Sequence, residues 1–194
     1  APKPAGTSTV EAVMFIDMVG STALGSKYGD DYVLGMKEQL GRIVAQECEK
    51  QGVLFRKGTG DGHMLTFPEC ANAAHAGLGI FRETAKANAS VPAARAIRLR
   101  MGIHFGQINI DSSGDRIGTT ANMAARIEAT KLDQLQASEK DVADIDLPLE
   151  NRILISEVVA DELRELPEFR FRPIGYFSFK GIAGLRQIFL LEID

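Results

Sequence analysis

The sequence predicts an α+β domain with a ferredoxin-like βαββαβ core: a mixed, mostly antiparallel sheet flanked by helices, with an added C-terminal hairpin. Three observations carry this. Strand-like and helix-like segments alternate from Val10 onward, in the order strand, helix, hairpin, helix, strand. Three strand pairs are close enough in sequence to be hairpins, which favours antiparallel pairing over a doubly wound parallel sheet. A chain of 194 residues, 45% hydrophobic and 25% charged, can bury one ordinary core without staples.

The elements follow in order. The opening APKPAGTSTV has no hydrophobic signal core, and residues 1–9 read as a linker or the cut edge of a longer protein. Residues 10–16, VEAVMFI, are almost continuously apolar after Glu11 and read as a central strand. It ends at Asp17, and Gly20, Ser21 and Thr22 then offer backbone N–H groups at a helix start, where anions are favoured. Mostly helical apolar spacing over 28–51 predicts a helix stopped by Gly52. Strands over 53–57 and 63–67 are joined by a tight turn with Asp61 at its tip. Gly58, Gly60 and Gly62 are expected to give that turn its positive φ, and Asp-Gly is a favoured hairpin pair.

Residues 69–88 form an alanine-rich helix suited to close packing. SVPAARA is a loop. Residues 97–105 alternate apolar and polar side chains, the mark of a half-buried strand, and Gly106 is expected to turn it into a second short strand over 107–110. The loop SSGDRIGTT leads into a helix from Thr120 to about Ala129. Residues 130–152 are polar and acidic and read as a surface insertion. ILISEVVADELREL resumes as strand and short helix, and FRFRPIGYFSF with QIFLLEI makes the terminal hairpin. Residues 10–194 are thus expected to form one domain.

Composition excludes several function classes. A net charge of −4 without a Lys/Arg run argues against nucleic-acid binding. No stretch approaches the ~18 apolar residues of a membrane span, so no membrane contact by this segment is expected, and the default location is cytoplasmic. Cys48 and Cys70 are too few for a disulfide framework and read as small core residues. No Cys/His cluster with zinc spacing is present; His63, His75 and His104 read as structural, with His63 near enough to perturb Asp61.

The chemistry concentrates at two acids. Asp17 and Asp61 each sit where an apolar strand meets a glycine-bearing turn, and the predicted order lays those ends side by side. Two such carboxylates repel unless a cation lies between them. Mg²⁺ takes one or two carboxylates plus phosphate oxygens, and a metal pair suits displacement at phosphorus. On the residues alone it stays open that either acid merely caps its turn. Lys57, four residues before Asp61, adds a cation suited to a polyphosphorylated ligand. Asn122 and Arg126, at i and i+4, share one helical face.

Over nearly all of residues 10–194 the chain resembles the catalytic domain of the class III nucleotidyl cyclases. The resemblance rests on Ile16-Asp17-Met18-Val19-Gly20-Ser21-Thr22, the Gly-Asp hairpin, Lys57 with Asp115, Asn122 with Arg126, and Lys180-Gly181 in the final hairpin. It implies Asp17 and Asp61, with the Met18 backbone carbonyl, as ligands of two Mg²⁺ or Mn²⁺ ions. It implies Lys57 and Asp115 as readers of adenine, Asn122 and Arg126 as handlers of the ribose and the α-phosphoryl transition state, and Lys180 as a triphosphate contact. Gly20, Ser21 and Thr22 are expected to bind phosphate through their backbone. Lys57 can donate to adenine N1 and Asp115 can accept from the 6-amino group, whereas guanine reverses that edge, so ATP is favoured over GTP.

The resemblance further implies conversion of ATP to 3′,5′-cyclic AMP and pyrophosphate in a homodimer with composite active sites, regulated by an upstream sensor domain. Guanylyl cyclase activity and a silent nucleotide-binding regulatory domain are the alternatives. No residue stands out as a dedicated base; a metal-ligating Asp, water or a substrate phosphate remains open. Two departures stand out. Ser21-Thr22 replaces the Phe-Thr of many relatives, tolerable if backbone groups bind the phosphates, and 130–152 is longer than the usual link, fitting a dimer arm, regulatory contact or loop.

Overall fold

The computed structural model describes residues 6–138, 140–141 and 144–193. Strand β1 (Thr7–Met18) lies in the middle of the expected core. Helices α1 (Ser21–Tyr28) and α2 (Asp30–Lys50) follow, then the hairpin β2 (Phe55–Gly58) and β3 (Gly62–Phe67), helix α3 (Cys70–Asn88) and strand β4 (Leu99–Ile110). The sheet order β2-β3-β1-β4, antiparallel throughout, is that of the ferredoxin-like core the sequence predicts. The short β5 (Arg116–Ile117) pairs with β4 and leads into α4 (Thr119–Glu128).

The sheet then extends. β6 (Leu135–Ala137), β7 (Arg152–Ser156), α5 (Glu157–Leu163), β8 (Phe171–Ser178) and β9 (Leu185–Leu191) give the order β4-β7-β9-β8-β6 on that side, with β4 and β7 parallel. The terminal hairpin is present as expected, pairing Ser178 with Leu185 and Phe171 with Leu191.

Both faces of the sheet are covered, which explains the nearly continuous apolar run of β1. Met14, Ile16 and Met18 enter the principal core with α2, α3 and α5. Val13, on the other face, meets Ala121 and Ala124 of α4. Met123 and Ile127 of α4 close a second cluster with Leu154, Phe177 and Ile188. The small residues of α3 serve close packing as expected: a Cβ on Gly77 would lie 3.1 Å from Ile153 Cδ1. On the opposite face Gly102 does the same for α4, where a Cβ would overlap the backbone nitrogen of Glu128.

Several local expectations are corrected. β1 begins at Thr7, three residues early, because β4 supplies partners as far as Ile110. Two helices occupy 21–50, divided at Gly29 (φ 91°). Gly106 makes no turn: β4 passes straight through it, and the missing side chain accommodates Thr120 Oγ1, 3.0 Å from a would-be Cβ. The 130–152 segment is more than a surface excursion. It contributes β6, and Ile145 and Leu147 pack on the second cluster; residues 139, 142 and 143 lie outside the described residues. Its end is pinned by buried Arg152, which donates to the carbonyls of Pro148 (2.9 Å), Glu128 (3.0 Å) and Thr130 (2.6 Å). A buried cation thus satisfies carbonyls at the C-terminal end of α4, where helices leave them unpaired.

Candidate active site

Strand register brings the two acids together. Asp17, at the end of β1, lies opposite Gly62 on β3 and opposite Arg100 on β4. Gly62 is there for close approach: a Cβ would overlap the Ile16 carbonyl oxygen. Of the three hairpin glycines only Gly60 has positive φ (89°), correcting the expectation that all three do. The Met18 N–H donates to the Asp61 carbonyl at 3.1 Å, tying the strand end to the turn.

Each acid already has a cation. Lys37 of α2 lies 2.5 Å from Asp61 Oδ1, and Ser21 Oγ–H donates to Asp61 Oδ2 at 2.5 Å. These two hydrogen bonds hold the Asp61 carboxyl below the usual carboxylate range. Arg100 Nη2 donates to Asp17 Oδ2 at 2.7 Å. Its Nε lies 3.1 Å from Glu128 Oε1, an ion pair. Burial leads in pushing the Glu128 carboxyl up to about 7. A cleft of about 590 Å³ opens beside Asp61, walled by Ser21, Thr22 and Lys37, with Asp30 and Asp31 also on its wall.

The Ser21 side chain is spent on Asp61, and a Phe there would remove that bond. Gly20 takes the left-handed conformation (φ 74°) before α1, and Thr22 is exposed. His63 is half-buried and its pKa is lowered, first by burial and then by Arg56; Lys37 and Ser21, rather than His63, set the state of Asp61.

Lys57 and Asp115, 58 residues apart, meet in a side-chain ion pair. Lys57 is exposed, and its cation pairs with Asp115 and not with the neighbouring Asp61, which holds Lys37. Asp115 is held by its own loop: its N–H reaches Asp111 Oδ1 (3.1 Å), and Arg116 N–H donates to its Oδ1 (2.9 Å). Asn122 and Arg126 stand one turn apart on α4, both exposed and without side-chain partners among the described residues. Lys180, exposed in the β8–β9 turn, is likewise unpaired among them.

One chain therefore gathers Asp17, Met18, Asp61 and Ser21 at one place and Lys57 with Asp115 at another. No hydrogen bond joins Asn122, Arg126 or Lys180 to either acid among the described residues. Sequence reasoning missed Lys37 and Arg100. Arg100 was visible as a polar position of the alternating IRLRMGIHF run, but only register sets it opposite Asp17. Nothing local signals Lys37, whose contact joins a helix to a distant turn.

Comparison with known proteins fits this architecture. Residues 5–144 match the family described as "Adenylate and Guanylate cyclase catalytic domain". The chain belongs to that family, the class III nucleotidyl cyclase catalytic domains. A Rhizobium meliloti (strain 1021) protein named "Putative adenylate cyclase 3" is 40% identical over 79 residues, 41% of this chain and 13% of that protein. Among solved structures, the Adenylate/Guanylate Cyclase/Hydrolase from Silicibacter pomeroyi superposes with a TM-score of 0.77 at 22% identity, covering 97% of this chain and 99% of that one. The guanylate cyclase domain of RhGC from Catenaria anguillulae, in complex with GTP, gives 0.75 at 18% identity, covering 97% and 99%. The adenylyl cyclase CyaB from P. aeruginosa gives 0.69 at 18%, covering 97% of each. At these identities the likeness is one of fold. No helix among the described residues is long and apolar enough to cross a membrane.

Proposed function

We propose that residues 10–194 form an adenylyl cyclase that converts ATP to 3′,5′-cyclic AMP and pyrophosphate in a cytoplasmic homodimer. The observation that carries the substrate assignment is the pairing of Lys57 with Asp115 at an open surface. In the order the family resemblance implies, with Lys57 on N1 and Asp115 on the 6-amino group, the pair complements adenine, and guanine, whose O6 and N1–H reverse that order, mismatches it.

The donor set fits Mg²⁺ or Mn²⁺. Among the described residues no group of three or more His, Cys, Asp or Glu could hold an ion, so a site here would draw on two carboxylates and a backbone oxygen. That is how Mg²⁺ binds beside a nucleotide, with phosphates and water completing its shell. Asp17, Asp61 and the Met18 carbonyl would hold two ions, which when bound supply Lewis-acid activation of the ribose 3′-hydroxyl and neutralise phosphate charge. Arg100 and Lys37, now on the two acids, are placed to turn toward the triphosphate when that charge arrives. Asn122 orients the ribose so that its 3′-oxygen lies in line with the α-phosphorus. Arg126 spreads its donors over the equatorial oxygens as charge develops, and loss of such a donor costs about 3–4 kcal/mol of barrier. Lys180 receives the departing pyrophosphate.

Exposure of Asn122, Arg126 and Lys180 supports a second chain as the missing wall. The α4 side of β1 and β3 carries only a small apolar cluster with Phe15 and Phe55 half-buried at its margin. The direct test is incubation with ATP or GTP plus Mg²⁺ or Mn²⁺ at dimer-forming protein concentration, with the product identified by mass and chromatography. Cyclic AMP is expected. Its absence overturns the proposal, and preferential cyclic GMP formation overturns the base assignment.

A further inference from the structure

Among the described residues the sheet has one parallel step, β4 against β7, paired from Arg100–Arg152 to Ile103–Ile155. Past it the sheet divides. β7 ends at Ser156, β4 runs on to Ile110 beside β1, and β9 before Ile188 pairs only with β8 among the described residues. A crevice outside the carboxyl end of a parallel strand, where neighbours diverge, is a natural ligand site in sheets that contain one. Here a cavity of about 230 Å³ occupies the split, under the first turn of α4. That is the space of roughly seven or eight water molecules.

Its walls are chemically distinct. Met123, Val158 and Ile182 form an apolar side. Facing the cavity from the polar side are Arg186 of β9, Thr119 of α4, and His104 with Ser156, whose Nδ1 and Oγ are 2.8 Å apart. Burial, followed by the nearby Arg186 charge, lowers the His104 pKa to about 4, so the ring is neutral near pH 7. Arg186 therefore supplies the cavity's positive charge, and it has neither hydrogen bond nor carboxylate partner among the described residues. Glu157 also lines the cavity and penalises a second negative charge in a ligand. None of the seven residues assigned to nucleotide chemistry lines it.

We propose that this cavity binds a small monocarboxylate with a short apolar body. The carboxylate lies on the Arg186 guanidinium, whose fork suits two parallel hydrogen bonds, with the Thr119 and Ser156 hydroxyls beside it. The body packs on Met123, Val158 and Ile182. Dicarboxylates and phosphates are disfavoured, because Glu157 repels a second negative charge and the apolar wall gives it no partner. The bound anion would bridge α4, which carries Asn122 and Arg126, to the hairpin that carries Lys180.

Butyrate is the probe, titrated into the whole chain without nucleotide or metal and followed by saturation-transfer NMR. Saturable binding is expected, at least tenfold weaker in Arg186→Gln and absent in Val158→Glu; both substitutions alter exposed side chains, and circular dichroism melts verify folding. Lys180→Ala should bind butyrate like wild type, and butylamine should not bind. Undiminished binding by Arg186→Gln overturns the proposal. So does binding of butylamine as tight as butyrate, and so does loss of binding in Lys180→Ala alone, which would put the anion at the nucleotide face. Because nucleotide is absent, these outcomes leave the cyclase reading untouched, and failure of cyclic AMP formation leaves them untouched in turn.

Discussion

At the scale of single residues, the charges that matter are defined by their partners. Lys57 and Asp115 gain meaning as a pair, and Lys57→Met separates their roles by removing the donor to adenine N1 while leaving an acceptor. The catalytic efficiency with ATP should fall about 100-fold or more and that with GTP much less, collapsing the preference. Initial rates with both nucleotides check this; a preserved ratio would mean that Lys57 reads no base. Glu128 and His104 make a second pair, in titration. Burial raises the Glu128 pKa to about 7, so the folded state holds its proton more tightly than the unfolded chain, and stability falls as pH rises from about 4.5 through 7. Burial lowers the His104 pKa to about 4, so stability present above about 6.5 is lost as pH falls toward 4. Between pH 4.5 and 6.5 the two slopes oppose, each with a limit of about 3 kcal/mol. Urea midpoints of the wild type should therefore change little from these groups across that window. Glu128→Gln leaves His104 unopposed, and its midpoints should drop clearly as the pH is lowered from 6.5 to 4.5. Parallel profiles for the two proteins would show that Glu128 titrates as it does in water.

At the scale of elements, the outline was legible because the patterns that specify it are local. The period-2 run of β4, the helical spacing of α2 and α3 and the apolar β1 are where periodicity puts them. What escaped was specified by contact. Helix α1 has Leu24 as its only buried apolar side chain, too little to show a face. β6 is three residues long and is defined by pairing with β8. Gly106 and Gly62 read as turn residues, yet both allow another element to come close. Gly102 is the third of this kind and the most consequential, since α4 rests on it at Ala124 and Glu128, two residues to either side of Arg126. Gly102→Ala forces the C-terminal turn of α4 off the sheet. It should cost about 1–3 kcal/mol in stability, read as a lower urea midpoint. A displacement of about 1 Å at Arg126 should lower kcat about 100-fold. A folded Gly102→Ala protein with wild-type kcat would show that α4 is not the rigid carrier of the transition-state donor.

At the scale of the whole molecule, the seven motif residues were read as a set through the family resemblance, whereas Lys37 and Arg100 were not, being brought in by a helix and a strand register. The structure also separates what the motifs list together. Asp17 and Asp61 carry cations at one place, while Asn122 and Arg126 are exposed on α4 without side-chain partners among the described residues. One hairpin bears both Asp61 and, four residues earlier, Lys57, whose side chain is committed to Asp115. If the acids of one chain meet the α4 residues of another, Asp17→Ala and Asn122→Ala damage different halves of each site. Each homodimer is then inactive, with both of its sites broken. In a heterodimer one site carries both lesions and the other carries none. Random re-pairing of an equal mixture makes about half the dimers mixed, so activity should recover to about a quarter of the wild-type value. The recovery should vanish on dilution below the dimer dissociation range, which sedimentation can establish for each variant separately. If the mixture stays at the sum of its parts although the chains demonstrably exchange, each site is built within one chain, and the outward face of α4 needs another explanation.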